Sequence, residues 1–251
     1  MEFTPIIYFI IFLYGITIGS FLNVCIYRIP LHENIITTRS HCTHCGYQLK
    51  WFDLFPIVSY IIYRGRCRKC SIKISAQYPI IELFNGLMYV WIFYIHGMNL
   101  ISILYCLGLS ALITLSVIDF RTYEIPFGIN IFIGVLGIIR ILYDRGNYID
   151  YLIGFISVSG FLLIVDKITK GRGIGGGDIK LMAASGLLLG WQYNLLAFIL
   201  GCIIGSVIHV IRMKISNEDS ILAFGPYLSA GIIITMLYGE LILDWYLHKY
   251  I

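Results

Sequence analysis

Two groups of residues in this 251-residue chain have types and spacing that do chemistry: a pair of aspartates at the ends of apolar runs, and four cysteines in two short knuckles. Asp119 ends one run in Ser116-Val117-Ile118-Asp119-Phe120, and Asp178 opens another in Gly175-Gly176-Gly177-Asp178-Ile179-Lys180. Ionisable groups at membrane depth are costly and mark functional sites. Two apolar segments separate the pair, so span parity places both on one membrane face. Two carboxylates sharing a water are aspartic-protease machinery. One, ionised, takes a proton from water; the other, protonated, gives one to the peptide oxygen. Close like charges resist joint ionisation, so such a pair holds one proton between them.

The glycines before Asp178 allow a backbone that side chains would block, with room for a substrate strand. Asp178 is read at a helix N-terminus and Asp119 at a C-terminus, where the helix dipole favours and disfavours negative charge respectively. That contrast points to Asp178 as the ionised base and Asp119 as the resting acid. The plainer alternative is that each aspartate caps a helix at the interface. Glu82, Glu124 and Asp166 also lie near the ends of apolar runs, and are expected to face solvent or lipid headgroups.

The knuckles read Cys42-Thr-His-Cys45 and, after 21 residues, Cys67-Arg-Lys-Cys70. Each tight turn offers two thiolates, and two turns complete a four-sulfur tetrahedron around structural zinc. Arg64, Arg66, Arg68 and Lys69 would offset its charge. A redox-active dithiol is the alternative, disfavoured by a reducing cytosol. His41 and His44 read as exposed loop residues, and Cys25, Cys106 and Cys202 as buried inert thiols. The segment 28–78 is too short for a hydrophobic core of its own, so it needs such a staple.

The elements that must position these groups are membrane helices. The chain is 59% hydrophobic and 13% charged, against roughly 25% charged in soluble domains. Its net charge of +4 is too small and too dispersed for nucleic acid. Only Glu2 is charged near the start, and the run 6–26 is too long for a cleavable signal, so it reads as a retained span. Apolar runs of about 20 residues predict spans near 5–26, 79–95, 100–118, 127–143, 149–166, 179–193, 195–211 and 223–245. The sixth and seventh are short, and a re-entrant hairpin is the alternative for them.

The fold class is therefore an all-α polytopic bundle of about eight helices with a small zinc-bound cytosolic domain. Its parts are 1–27 (first span), 28–78 (zinc loop) and 79–251 (catalytic bundle). Eight of the 18 Lys and Arg residues lie in 28–73. Arg121, Lys167, Lys170, Arg172, Lys180, Arg212 and Lys214 fall on the same side, leaving Arg140, Arg145 and Lys249 opposite. Positive charge marks the cytoplasmic face, so the zinc loop and both aspartates are expected there and both termini outside.

Six stretches, in order, resemble the type IV prepilin peptidase family over nearly the whole chain. They are Gly19-Ser20-Phe21-Leu22-Asn23-Val24 with Arg28-Ile29-Pro30; the two knuckles with Pro56-Ile57-Val58-Ser59-Tyr60; Tyr78-Pro79 with Glu82-Leu83; Ile118-Asp119 with Ile125-Pro126; the GxGD stretch Gly175 to Leu181; and Phe224-Gly225-Pro226-Tyr227. The resemblance implies that Asp119 and Asp178 carry cleavage of the leader from prepilins or pseudopilins in the bilayer. It also implies that S-adenosylmethionine serves methylation of the new N-terminus, with the cytosolic domain as its home. Gly65 stands where the family also has glycine. Phe127 stands where the family commonly has an acidic residue, and Gln77 where it has arginine.

Three rival readings share some of these features. A presenilin-type intramembrane protease shares the GxGD dyad, an ion-coupled transporter shares intramembrane carboxylates beside broken helices, and a scaffold would use the zinc loop alone.

Overall fold

The structure is a computed structural model that describes residues 4–171, 173–216 and 223–250. Glu2, Arg172 and the side chain of Lys249, used above, lie outside the described residues. Among the described residues the long elements are all helices: α1 (Thr4–Arg28), α2 (Val58–Ile62), α3 (Gln77–His96), α4 (Leu100–Thr122), α5 (Phe127–Tyr143), α6 (Tyr148–Ile168), α7 (Gly176–Leu189), α8 (Trp191–Ser216) and α9 (Gly225–Tyr250). Two isolated antiparallel bridges, His41 to Gln48 and Arg66 to Lys73, are the extended pairings found.

Six of these helices are long and apolar enough to cross a membrane, which makes this a membrane protein by length and composition. Six is fewer than the eight spans expected from the sequence. The difference lies in α5, with 17 residues, and α7, with 14. At 1.5 Å per residue α7 is about 21 Å long, short of a hydrocarbon core of about 30 Å. It starts after the extended Gly175 and stops at Gly190, whose φ of 88° turns the chain directly into α8.

The chain divides into two compact units, Met1–Cys106 and Leu107–Ile251. In the first, α1 packs along α3 through glycines one turn apart. A Cβ on Gly15 would lie 2.7 Å from Gly86 Cα, and one on Gly19 the same distance from Glu82 Cα. Lipid supplies no hydrophobic drive between helices, so small residues that let backbones touch, and polar bonds across them, hold membrane helices together. The fully buried Asn85 supplies such a bond, donating to the Gly15 carbonyl at 2.7 Å.

In the second unit α4 is buried on every side, with each residue from Leu109 to Leu115 buried together with Ile118, as expected of a helix that is apolar all round. The helix α7 is enclosed by protein, with Leu181, Met182, Ser185 and Leu188 fully buried. It meets α5 where Gly137 touches Leu187, and α6 where Gly154 touches Gly186. Asn194, fully buried at the start of α8, donates to the carbonyls of Gly154 (3.1 Å) and Met182 (3.0 Å) and accepts from the Ser185 hydroxyl (2.8 Å). A helix wrapped in this way packs against protein instead of lipid, which suits a short element with an ionisable residue at its mouth.

Candidate active site

Asp119 sits in the last turn of α4, where Tyr123, at φ 56°, returns its N–H to the Asp119 carbonyl at 2.8 Å and ends the helix. Asp178 sits in the first turn of α7. Both are buried, 4% and 8% exposed, in the second unit. The residues singled out by type are thus brought together in one unit.

The surroundings differ from the sequence expectation in two ways. First, the Gly225 N–H, at the start of α9, donates to Asp119 Oδ2 at 2.9 Å. Asp119 therefore also lies against a helix N-terminus, and the contrast of helix ends that divided base from acid disappears. Second, the glycines are needed for space, not for left-handed backbone: none of Gly175, Gly176, Gly177 and Gly225 has positive φ. A Cβ on Gly225 would lie 2.6 Å from Asp119 Oδ2, and one on Gly175 3.0 Å from Asp178 Oδ2. A Cβ on Gly177 would lie 2.8 Å from Ile125 Cβ, whereas Gly176 has nothing within 4 Å. Ile125 touches the approaches to both aspartates, since its Cδ1 is also 3.1 Å from the Gly225 position.

Among the described residues Asp178 Oδ1 is buried with no hydrogen-bond partner, an unsatisfied acceptor of the kind that calls for an explanation in function. Asn130 steadies the Gly-rich turn with a 3.4 Å bond to the Gly177 carbonyl. Lys180 lies 4.8 Å above the Phe127 ring, a cation–π contact where an acidic residue would have made an ion pair. Sequence reasoning gave Gly225 and Asn130 no role at the dyad; the Gly225-Pro226 pair opening an apolar run was the available signal.

The cysteines also converge. The Sγ atoms of Cys42, Cys45, Cys67 and Cys70 all lie within 4.8 Å of one another. Cys42 and Cys70 are 3.9 Å apart, and Cys45 and Cys67 4.0 Å. Zn–S bonds of about 2.3 Å place tetrahedral sulfurs somewhat under 4 Å apart, so the set fits a four-thiolate metal and is too open for disulfides. The two knuckles are built alike. Cys42 N–H bonds the Tyr47 carbonyl and Cys67 N–H that of Ile72, and left-handed residues, Gly46 (φ 67°) and Ser71 (φ 56°), follow each second cysteine.

The backbone N–H of Cys70 leads in drawing the Cys67 thiol down to about 7. For Cys70 the Ile72 N–H pulls the same way, but burial and the neighbouring thiols prevail and push it up to about 12. Four thiolates this close need a cation between them. Gly65 is also explained, by φ 65° and by the Tyr60 ring 2.8 Å from where its Cβ would stand. His41 and His44 are exposed, as expected, and Cys25 and Cys106 are buried, while Cys202 is only half-buried.

A cavity of about 390 Å³ opens beside these knuckles within the first unit, and Glu82 lines it. The expectation that Glu82 faces solvent or headgroups is wrong. It is 6% exposed, because its turn of α3 packs on Gly19 and its carboxylate accepts the Ile57 N–H at 2.7 Å. Asp166 is half-buried and Glu124 exposed. Gln77 reaches Asn23 Oδ1 at 3.5 Å.

Comparison with known proteins identifies the family. Residues 13–96 match the model of the bacterial peptidase A24 N-terminal domain, and residues 106–210 that of the type IV leader peptidase family. A prepilin leader peptidase/N-methyltransferase of Bacillus subtilis is 33% identical over 95% of this chain and 97% of its own length. Proteins of the same description from Burkholderia pseudomallei and Legionella pneumophila are 32% and 28% identical, over 90% and 96% of this chain and 83% and 94% of theirs. No solved structure matches. With full-length relatives and both of its halves matched, the chain belongs to the type IV leader peptidase family.

Proposed function

We propose that this chain is a membrane aspartic endopeptidase that removes the leader from type IV prepilins or pseudopilins, with Asp119 and Asp178 as its acid–base pair. The observation that supports this most is that two buried carboxylates, one at the end of α4 and one at the start of α7, lie in one unit with Ile125 packed beside the glycine next to each. The pair holds one proton between two carboxylates. The ionised partner takes a proton from water as it attacks the scissile carbonyl, and the protonated partner supplies one to the carbonyl oxygen. The Gly225 N–H holds Asp119 in place through this exchange.

The relatives' description as leader peptidase/N-methyltransferase supports a second activity, methylation of the new N-terminus. S-adenosylmethionine, when bound, supplies the methyl group. Cys42, Cys45, Cys67 and Cys70 would hold structural zinc, with no open position for catalysis. The basic residues of 28–73 support a cytosolic zinc domain at 28–78, between the first span and the catalytic bundle 79–251, in the cytoplasmic membrane. With α5 and the protein-wrapped α7 both crossing as short segments, the spans number eight. A basic leader would then stay on the face that carries the aspartates.

The test is incubation of a synthetic prepilin with membranes containing the protein, with and without S-adenosylmethionine, followed by N-terminal sequencing and mass analysis. Cleavage at the leader boundary, with an added methyl when the donor is present, supports the proposal. Cleavage inside the apolar helix would move the protein to the presenilin type, and solute uptake without cleavage would move it to the transporters.

A further inference from the structure

The cavity of the first unit is walled by two carboxylates that peptide cleavage does not use. Glu82 is buried, and among the described residues no cation pairs with it; its partners are the Ile57 N–H at 2.7 Å and the Ser20 hydroxyl. Asp53, its side chain 4% exposed, accepts the Lys50 N–H at 3.0 Å and the Tyr47 hydroxyl at 3.4 Å on Oδ2. Its Oδ1 has no hydrogen bond, with the Arg68 guanidinium 4.0 Å away. Buried carboxylates are stable only when charge or hydrogen bonds compensate them. Glu82 is held in place by neutral donors and still faces open space.

The backbone beside Glu82 is strained. Ile57, a β-branched residue, has φ 61° and ψ −49°, and Val58 N–H bonds back to the Pro56 carbonyl. This is a γ-turn of the strained hand, rare for any side chain and rarer for a branched one. Its effect is to aim the Ile57 N–H at Glu82. Strain of this kind persists where surrounding structure enforces it, and concentrates at ligand sites. The same cavity carries Tyr27 and Tyr63, which offer aromatic surface, and Arg66 and Lys73, which offer positive charge. At about 390 Å³ it falls within the roughly 300–1,000 Å³ of small-molecule pockets.

We propose that this cavity binds S-adenosylmethionine, with the Glu82 carboxylate facing its sulfonium. This rests on the methyltransferase half of the proposed function. A ligand with a cationic centre, an acid group, a planar base and ribose hydroxyls matches a wall that offers a carboxylate, basic residues, tyrosines and the free acceptor of Asp53. The sulfonium is the feature that singles out Glu82, because the demethylated product, S-adenosylhomocysteine, keeps every other group and loses that charge.

The experiment is calorimetric titration of the full-length protein in detergent with each compound, for wild type and Glu82→Gln. Glutamine keeps an oxygen for the Ile57 N–H, and a thermal melt checks the fold. The wild type is expected to bind S-adenosylmethionine, and Glu82→Gln to weaken it about tenfold or more while changing S-adenosylhomocysteine less than about twofold. Equal loss of both compounds, or no loss of either, overturns the assignment. Binding of neither by the wild type removes the methyl-donor reading itself, and the site with it. Ultraviolet cross-linking of labelled S-adenosylmethionine to the wild type needs no variant. A label mapped to 20–82 is expected, and one confined to the rest of the chain overturns the proposal.

Discussion

The two units each bury a pair of carboxylates, and they do so by different means. Asp119 and Asp178 lie at helix ends inside a packed bundle, where glycines clear space and the first N–H of α9 fixes one of them. Glu82 and Asp53 line a cavity whose other walls come from the end of α1 and from a loop shaped by two cysteine knuckles and a strained turn at Ile57. Helix packing and one backbone hydrogen bond place the first pair. The second depends on a loop too small for a hydrophobic core of its own, with four cysteines placed to hold a metal. The two sites should therefore fail independently.

Removing the metal gives the largest separation. A Cys42→Ser, Cys67→Ser double variant is expected to lose its zinc, to become protease-sensitive between 42 and 70, and to lose methyl transfer. Leader cleavage should change less than about tenfold. Metal analysis, limited proteolysis and product masses read the three effects, and a parallel collapse of cleavage would break the comparison.

Within the bundle, Gly225→Ala should lower cleavage by about 10- to 100-fold, since a displacement near 1 Å at reacting groups is worth about that much. Gly176→Ala, with nothing within 4 Å of its Cβ, should stay within about twofold. Initial rates on one prepilin at matched protein levels decide this, and equal losses would mean that the turn's flexibility matters instead of its space.

A smaller effect concerns the frame. Asn194→Leu leaves the Ser185 hydroxyl only the longer bond to the Met182 carbonyl at 3.2 Å, and removes the donor to the Gly154 and Met182 carbonyls at the α6–α7–α8 junction. It should destabilise the protein by about 1–3 kcal/mol, seen as a lower melting temperature in detergent. Smallest is Ser71→Gly. Ser71 holds φ 56° where the matching knuckle has Gly46, so glycine should stabilise the zinc loop by about 1 kcal/mol, read as slower proteolysis of the 42–70 segment.

Much of this was legible in the sequence, for identifiable reasons. The helices came from apolar length and the knuckles from cysteine spacing, and charge at membrane depth singled out two aspartates that the structure buries. The span count was less legible because hydropathy cannot tell a short helix wrapped in protein from one that meets lipid, as α7 shows. Glu82 was misplaced because its burial depends on Gly19 across the helix pair and on a backbone N–H that is 25 residues away. The Gly225 contact spans 106 residues, and no local pattern encodes it. The helix-end argument about acid and base failed for the same reason: it saw the helix each aspartate belongs to, and not the one Asp119 faces.

The central claim, that Asp119 and Asp178 act as one acid–base unit, is tested most directly by cleavage of a synthetic prepilin beside Asp119→Asn and Asp178→Asn. General acid–base groups contribute roughly 10²–10⁴-fold. Each variant, inserted and folded as wild type, should lose at least about 10³-fold, and the double variant little more than either single. Cleavage near the wild-type rate in either single variant, or losses that multiply in the double, would contradict the account.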